Sequence, residues 1–214
     1  MTKQEQLDQL MNSGIVAVVR RPPRDKVQLI TDALVAGGVQ ALEITVDSEG
    51  AFELIPRLKE KYGSRVLVGA GTVMNATVAE QALQAGADFI FSPILDEATI
   101  RITQQYGRIS IPGVMTPTEI AKGYEWGANV LKIFPGAMLG ANYIKEISAP
   151  LQGIPMMPTG GVTLHNVGEF IRAGAVAVGL GSSLLDKKAI AEERYEDITE
   201  LAQKFKAAII SARG

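Results

Sequence analysis

Residues 75–93 read "NATVAEQALQAGADFIFSP" and hold one complete helix-to-strand unit. Its first part, "NATVAEQALQAGA" (75–87), is amphipathic at helical spacing. Gly86 stops it, because glycine takes up the left-handed conformation that ends a helix. The chain then enters "DFIFSP" (88–93), a short apolar run with the composition of a buried strand.

The same unit recurs along the chain. Amphipathic stretches "DKVQLITDALVAGG" (25–38), "TPTEIAKGYEWGA" (116–128) and "TLHNVGEFIRAGA" (163–175) each run into a glycine and then an apolar segment. The punctuation reads "AGGV", "AGAD", "WGAN" and "AGAV". Strand-like runs fall at 15–20, 41–45, 65–72, 88–93, 108–113, 129–135, 154–161 and 175–183. Eight such runs alternating with helices predict a parallel sheet covered by helices, and eight is the count of a closed (β/α)8 TIM barrel. An open doubly wound sheet would carry a glycine-rich fingerprint after its first strand. Here that place holds "RRPPRD" (20–25). No linker or composition shift divides the chain, so residues 1–214 are expected to form one barrel domain. Residues 2–12 precede the first strand and are expected to add a helix across the barrel bottom.

The chain is 47% hydrophobic and 21% charged, values of an ordinary globular protein with a sizeable core. Its formal charge of −2 leaves no broad basic field for nucleic acid or an anionic membrane. Any anionic small molecule must therefore be met by a local site. The absence of cysteine excludes disulfides and thiolate chemistry and agrees with a reducing compartment. No signal-peptide region opens the chain, and no apolar run approaches the roughly 20 residues that span a bilayer. A cytoplasmic location is expected, and no cofactor. No His, Asp and Glu spacing reads as a metal site.

Within "NVLKIFPG" (129–136), Lys132 interrupts an apolar run, where lysine is almost never buried unless something pairs with it or uses it. Barrel active sites gather at the carboxyl ends of the strands, and alternate residues point inward. By that parity Val130, Lys132 and Phe134 share a face, as do Ala41, Glu43 and Thr45, then Val68, Ala70 and Thr72, then Val16, Val18 and Arg20. If those faces point inward, an amine, a carboxylate, a hydroxyl and a guanidinium converge at one mouth. A desolvated lysine is a neutral nucleophile able to form a Schiff base with a ketone. A buried carboxylate such as Glu43 suits the accompanying proton transfers. A plain buried ion pair between Lys132 and Glu43 is the alternative.

Two glycine-rich strand ends, "PTGG" (158–161) and "GLGSS" (179–183), lie where such barrels often bind phosphate. Ser182 offers a hydroxyl donor there, or a helix cap. His165, Tyr124 and Trp126 read as surface or packing residues.

Taken together, "LEIT", "VGAGTV", "GADFIFSP", "IPGVMTPTE", "LKIFPG", "PTGGV" and "VGLGSS", in this order, resemble the bacterial 2-keto-3-deoxy-6-phosphogluconate (KDPG) aldolases, including those also called 4-hydroxy-2-oxoglutarate aldolases. The resemblance covers nearly the whole chain. It implies a class I aldolase, a trimer of barrels that cleaves a 2-keto-3-deoxy phosphosugar acid to pyruvate and glyceraldehyde 3-phosphate. On the matching positions Lys132 would form the Schiff base and Glu43 would be the general acid and base. Thr72 would lie near the pyruvyl carboxylate, with Pro93 and Phe134 as pocket wall and Thr45 as a further substrate-binding residue. Arg20, Gly160, Gly161, Gly181 and Ser182 would hold the phosphate-bearing end. One position departs: many relatives carry arginine two residues beyond the threonine of Glu-x-Thr, and this chain has Asp47. A carboxylate there would repel the substrate carboxylate, so Asp47→Arg is expected to improve binding. From the residues by themselves, a phosphosugar epimerase or isomerase without an imine, or a non-catalytic barrel, stays open.

Overall fold

A computed structural model describes all 214 residues. Its strands are β1 (Ile15–Val19), β2 (Ala41–Thr45), β3 (Leu67–Gly71), β4 (Phe89–Phe91), β5 (Ile109–Ile111), β6 (Gly113–Val114), β7 (Leu131–Ile133), β8 (Met156–Pro158) and β9 (Val178–Leu180). All pair in parallel, in two arcs ordered β5-β4-β3-β2-β1-β9 and β6-β7-β8. A bridge between Thr159 and Gly179 joins the arcs at one seam. At the other, β5 and β6 are one strand position interrupted at Pro112, which has no N–H for the ladder. Its carbonyl still accepts from Lys132 N–H at 2.9 Å. The result is a barrel of eight strand positions, as the sequence pattern predicts, with the fifth one split.

The helices are α1 (Lys3–Ser13), α2 (Val27–Ala36), α3 (Ala51–Tyr62), α4 (Ala76–Gln84), α5 (Glu97–Gln105), α6 (Pro117–Glu125), α7 (Gly136–Ser148), α8 (Val167–Arg172), α9 (Lys187–Ala191) and α10 (Tyr195–Arg213). The glycines that punctuate the sequence have positive φ: +90° at Gly38, +93° at Gly86, +99° at Gly127 and +106° at Gly174. A side chain at any of them would be strained, so the helix-to-strand turn needs glycine. The first helix starts in a capping box of Thr2 and Glu5 and inserts Leu10, fully buried, into the bottom of the barrel. No helix is long and apolar enough to cross a membrane.

Two apolar shells result. The inner one fills the lower barrel with Val16, Ala41, Leu67, Phe89, Phe91, Ile109, Val130, Met157 and Ala177, closed from below by Leu10. The outer shell lies between strands and helices and holds Ala17, Leu42, Ile44, Val68, Ala70, Leu131 and Ile133. These shells bear out the inward faces expected for β1, β2 and β7 and correct the one expected for β3. Val68 and Ala70 face the helices, while Leu67, Gly69 and Gly71 face inward. Strands of a parallel barrel are buried on both sides, so hydrophobicity cannot tell the faces apart.

Candidate active site

Lys132 sits in the middle of β7, flanked by Leu131 and Ile133, which bury themselves under the helices and so force the lysine inward. It is only 6% exposed. Its Nζ lies 4.3 Å from the centre of the Phe91 ring and 4.7 Å from that of Phe134. Aromatic faces attract the ammonium, yet they are poor substitutes for water. Burial pulls the amine down to about 8, against the opposing pull of Glu43, and the Arg20 guanidinium lowers it further.

Glu43 is 1% exposed, on β2. Register places it beside Val18 of β1 and Gly69 of β3. Gly71 makes the space: a Cβ there would fall inside the Glu43 carboxylate. Burial raises its carboxyl to about 7, with Lys132 and Arg20 opposing the rise. Its Oε2 has no hydrogen-bond partner. The two groups face one cavity without forming an ion pair, so the interior holds an amine and a carboxyl that each exchange protons near neutrality.

That cavity has a volume of about 1060 Å³ and opens at the carboxyl ends of the strands. Its lining includes Glu43, Lys132, Arg20, Pro93 and Phe134 together with Gly160, Gly161, Gly181 and Ser182. Both strand-end glycines of "PTGG" are left-handed, at φ +88° and +73°. A Cβ on Gly161 would collide with Ala137, and one on Gly160 would press on the Phe134 ring at 3.2 Å.

Two expected residues stand behind this lining. Thr45 is fully buried, hydrogen-bonded to Ser48 Oγ at 2.9 Å. Thr72 follows β3 on the outward-facing parity with a left-handed backbone at φ +59°, and it is not among the residues that line the cavity. Its Oγ1 accepts from Arg20 Nη2 at 3.0 Å. Arg20 thus lies beside the threonine and within electrostatic reach of Glu43 and Lys132. Asp47 does not line the cavity; it pairs with Arg21 at 2.7 Å.

Sequence reasoning passed over several contributors. Phe91 supplies one of the aromatic faces around the amine, and nothing in "DFIFSP" separates it from core. Gly71 is indispensable to Glu43, but only contact across strands reveals that. Thr159 lines the cavity, 6% exposed, with a hydroxyl that finds no partner. Its signal was its place two residues beyond the inward Met157.

The sequence model of the KDPG and KHG aldolases matches residues 7–201. The chain is 31% identical over 196 residues to the 2-dehydro-3-deoxy-6-phosphogalactonate aldolase of Escherichia coli K12, covering 91% of this chain and 96% of that protein. It is 32% identical over 173 residues to the 2-dehydro-3-deoxy-phosphogluconate aldolase of Treponema pallidum, covering 80% and 82%. A crystal structure of KDPG aldolase from Legionella pneumophila, with pyruvate captured at low pH as a covalent carbinolamine, matches at a TM-score of 0.84 and 29% identity. That match covers 92% of this chain and 96% of that one. With a desolvated lysine and a protonatable carboxyl at the mouth of such a barrel, the chain belongs to the KDPG and KHG aldolase family, a family of class I aldolases and hence of lyases.

Proposed function

We propose that this protein cleaves 2-keto-3-deoxy-6-phosphogluconate to pyruvate and glyceraldehyde 3-phosphate through an imine on Lys132, and also accepts 4-hydroxy-2-oxoglutarate. The observation that carries the reading is the Lys132 amine, buried between two aromatic rings and left without a carboxylate partner. With its pKa at about 8, roughly a tenth of it is neutral at pH 7. The Nζ lone pair attacks the C2 ketone, and the carbinolamine loses water to give the protonated imine. Ionised Glu43 takes the C4 hydroxyl proton as the C3–C4 bond breaks, its electron pair moving to the iminium nitrogen to form an enamine. The aldehyde leaves, Glu43 returns the proton to C3, and water releases pyruvate from Lys132. A carboxyl near pH 7 is suited to both transfers.

The resemblance assigns Arg20 to the phosphate-bearing end, but its bond to Thr72 and its electrostatic reach to Lys132 favour the other end, where Arg20 and Thr72 form the donor pair for the keto-acid carboxylate. The distal phosphate falls to Gly160, Gly161, Gly181 and Ser182. The unpartnered Thr159 hydroxyl is available to a substrate hydroxyl. Likeness to the family also supports a trimer of barrels, which light scattering tests.

Borohydride reduction with pyruvate should add one covalent pyruvyl mass at Lys132. No adduct, or an undiminished one after Lys132→Ala, would sink the imine. Turnover measured on the 6-phosphogluconate-derived acid, its galactonate epimer and 4-hydroxy-2-oxoglutarate should then rank the first highest. A preference for the epimer, on which the Escherichia coli relative acts by name, would move the substrate and leave the chemistry.

A further inference from the structure

Arg21, immediately after β1, has a left-handed backbone at φ +45°. A residue with a long side chain holds that conformation only when its surroundings over-determine it. Two bonds do so, both from the loop after β2. The Arg21 N–H donates to Ser48 Oγ at 2.9 Å, and its guanidinium pairs with Asp47 at 2.7 Å. Ser48 Oγ also meets the buried Thr45 hydroxyl at 2.9 Å, which roots the anchor in β2, two residues from Glu43. Burial would raise the Asp47 carboxyl, but the Thr45 hydroxyl and the Arg21 and Arg20 guanidinia together hold it below the usual range. Asp47 is therefore an anion whenever the enzyme is at neutral pH.

Five cationic side chains line the cavity: Arg20, Arg21, Lys26, Lys132 and Lys187. Arg21 is neutralised by Asp47, and Lys26 by Glu193 at 3.2 Å together with the Ile190 carbonyl at 3.2 Å. Arg20 makes its one hydrogen bond to the Thr72 hydroxyl and stands in no ion pair, feeling Asp47 and Glu43 only at longer range. It is the guanidinium left for an anion beside Lys132, and it directly precedes the strained residue.

We propose that Asp47 is a positioning residue: by holding Arg21 it fixes the turn that aims Arg20 at Thr72 and at the carboxylate of the keto acid bound to Lys132. It thereby sets affinity for the pyruvyl end of the substrate. The proposal rests on the imine reading above. It reverses the expectation for Asp47→Arg, because an arginine there would face Arg21 and push the turn away.

The test is borohydride trapping with pyruvate varied, run beside turnover and melting temperature. Asp47→Asn should raise the pyruvate concentration for half-maximal trapping about tenfold, while the rate at saturating pyruvate stays within about twofold. Arg21→Ala should give the same rise, and the double variant no more than either single one, since both break one pair. Asp47→Arg should weaken pyruvate further. The reversed pair, Arg21→Asp with Asp47→Arg, should recover most of the loss, because aspartate tolerates a left-handed backbone. Recovery is an outcome that general damage to the fold would not produce. Unchanged pyruvate dependence in Asp47→Asn, tighter binding in Asp47→Arg, or no recovery in a folded reversed pair would each overturn the proposal while leaving the aldolase intact. No adduct in the unaltered chain would remove both.

Discussion

Two carboxylates are buried at opposite ends of this barrel, and they are treated in opposite ways. Asp88, at the bottom, is 3% exposed and surrounded by donors. Its Oδ1 bonds Lys59 Nζ and accepts from Gln6 Nε2 at 3.2 Å, with Arg108 at 3.6 Å. Its Oδ2 accepts the Val68 N–H at 3.0 Å. Glu43, at the top, is buried to the same degree, yet one of its oxygens has no partner and the nearby amine does not pair with it. A buried charge with its hydrogen bonds complete ties elements together. A buried ionisable group left incomplete sits at a pKa near neutrality and is ready to exchange a proton. Burial alone therefore does not mark function; these two carboxylates differ in whether their hydrogen bonds are complete.

The sharpest break of that contrast is Lys132→Met. Turnover should fall by about 10⁴-fold or more, as for loss of a covalent nucleophile. The melting temperature should rise, since an apolar side chain replaces an amine that is costly to bury. The sign follows from linkage: a lysine held at about 8 instead of 10.5 costs stability in full below pH 8 and less as pH climbs toward 10.5. The gain in Lys132→Met should shrink over that window; a gain constant with pH would contradict it. Asp88→Asn should do the reverse, costing about 2 kcal/mol in urea titrations because the partly exposed Lys59 and Arg108 lose their buried anion, with kcat unchanged in the folded fraction. A drop in kcat would show that the two ends are coupled. Next in size, the rate of pyruvate trapping should fall about fiftyfold between pH 8 and pH 6, following the neutral amine. A flat profile would mean the amine is already neutral. The smallest effect is expected at Thr159→Val, which removes an orphaned hydroxyl. Stability should hold or improve slightly, while KM for hydroxylated acids rises by about fivefold, worth roughly 1 kcal/mol of one hydrogen bond; an unchanged KM would leave that hydroxyl unused.

Periodicity carried much of this far. The recurrent helix, glycine and apolar run specified the barrel, and the four punctuating glycines all have the left-handed backbone their position requires. Lys132 and Glu43 stood out because charge within a short apolar strand needs a reason. Parity placed three strands well and failed on β3, where the inward positions are glycines that make no hydrophobic signal. Thr72 joins the site only through its bond to Arg20, and Phe91 touches the amine only through the closure of the barrel.

The sequence by itself determined the alternation of elements, the extra N-terminal helix and the two ionisable residues on inward faces, because these depend on local spacing and on the chemistry of each side chain. It could not determine what each charge meets. Asp47 reads as a repulsive carboxylate in the string "EITVDSEG" and becomes the partner of Arg21 once β1 and β2 lie side by side. Only the folded barrel brings residues more than 50 apart into one environment, such as Arg20 with Thr72 or Glu43 with Lys132. There desolvation, rather than residue type, decides which groups are structural and which react.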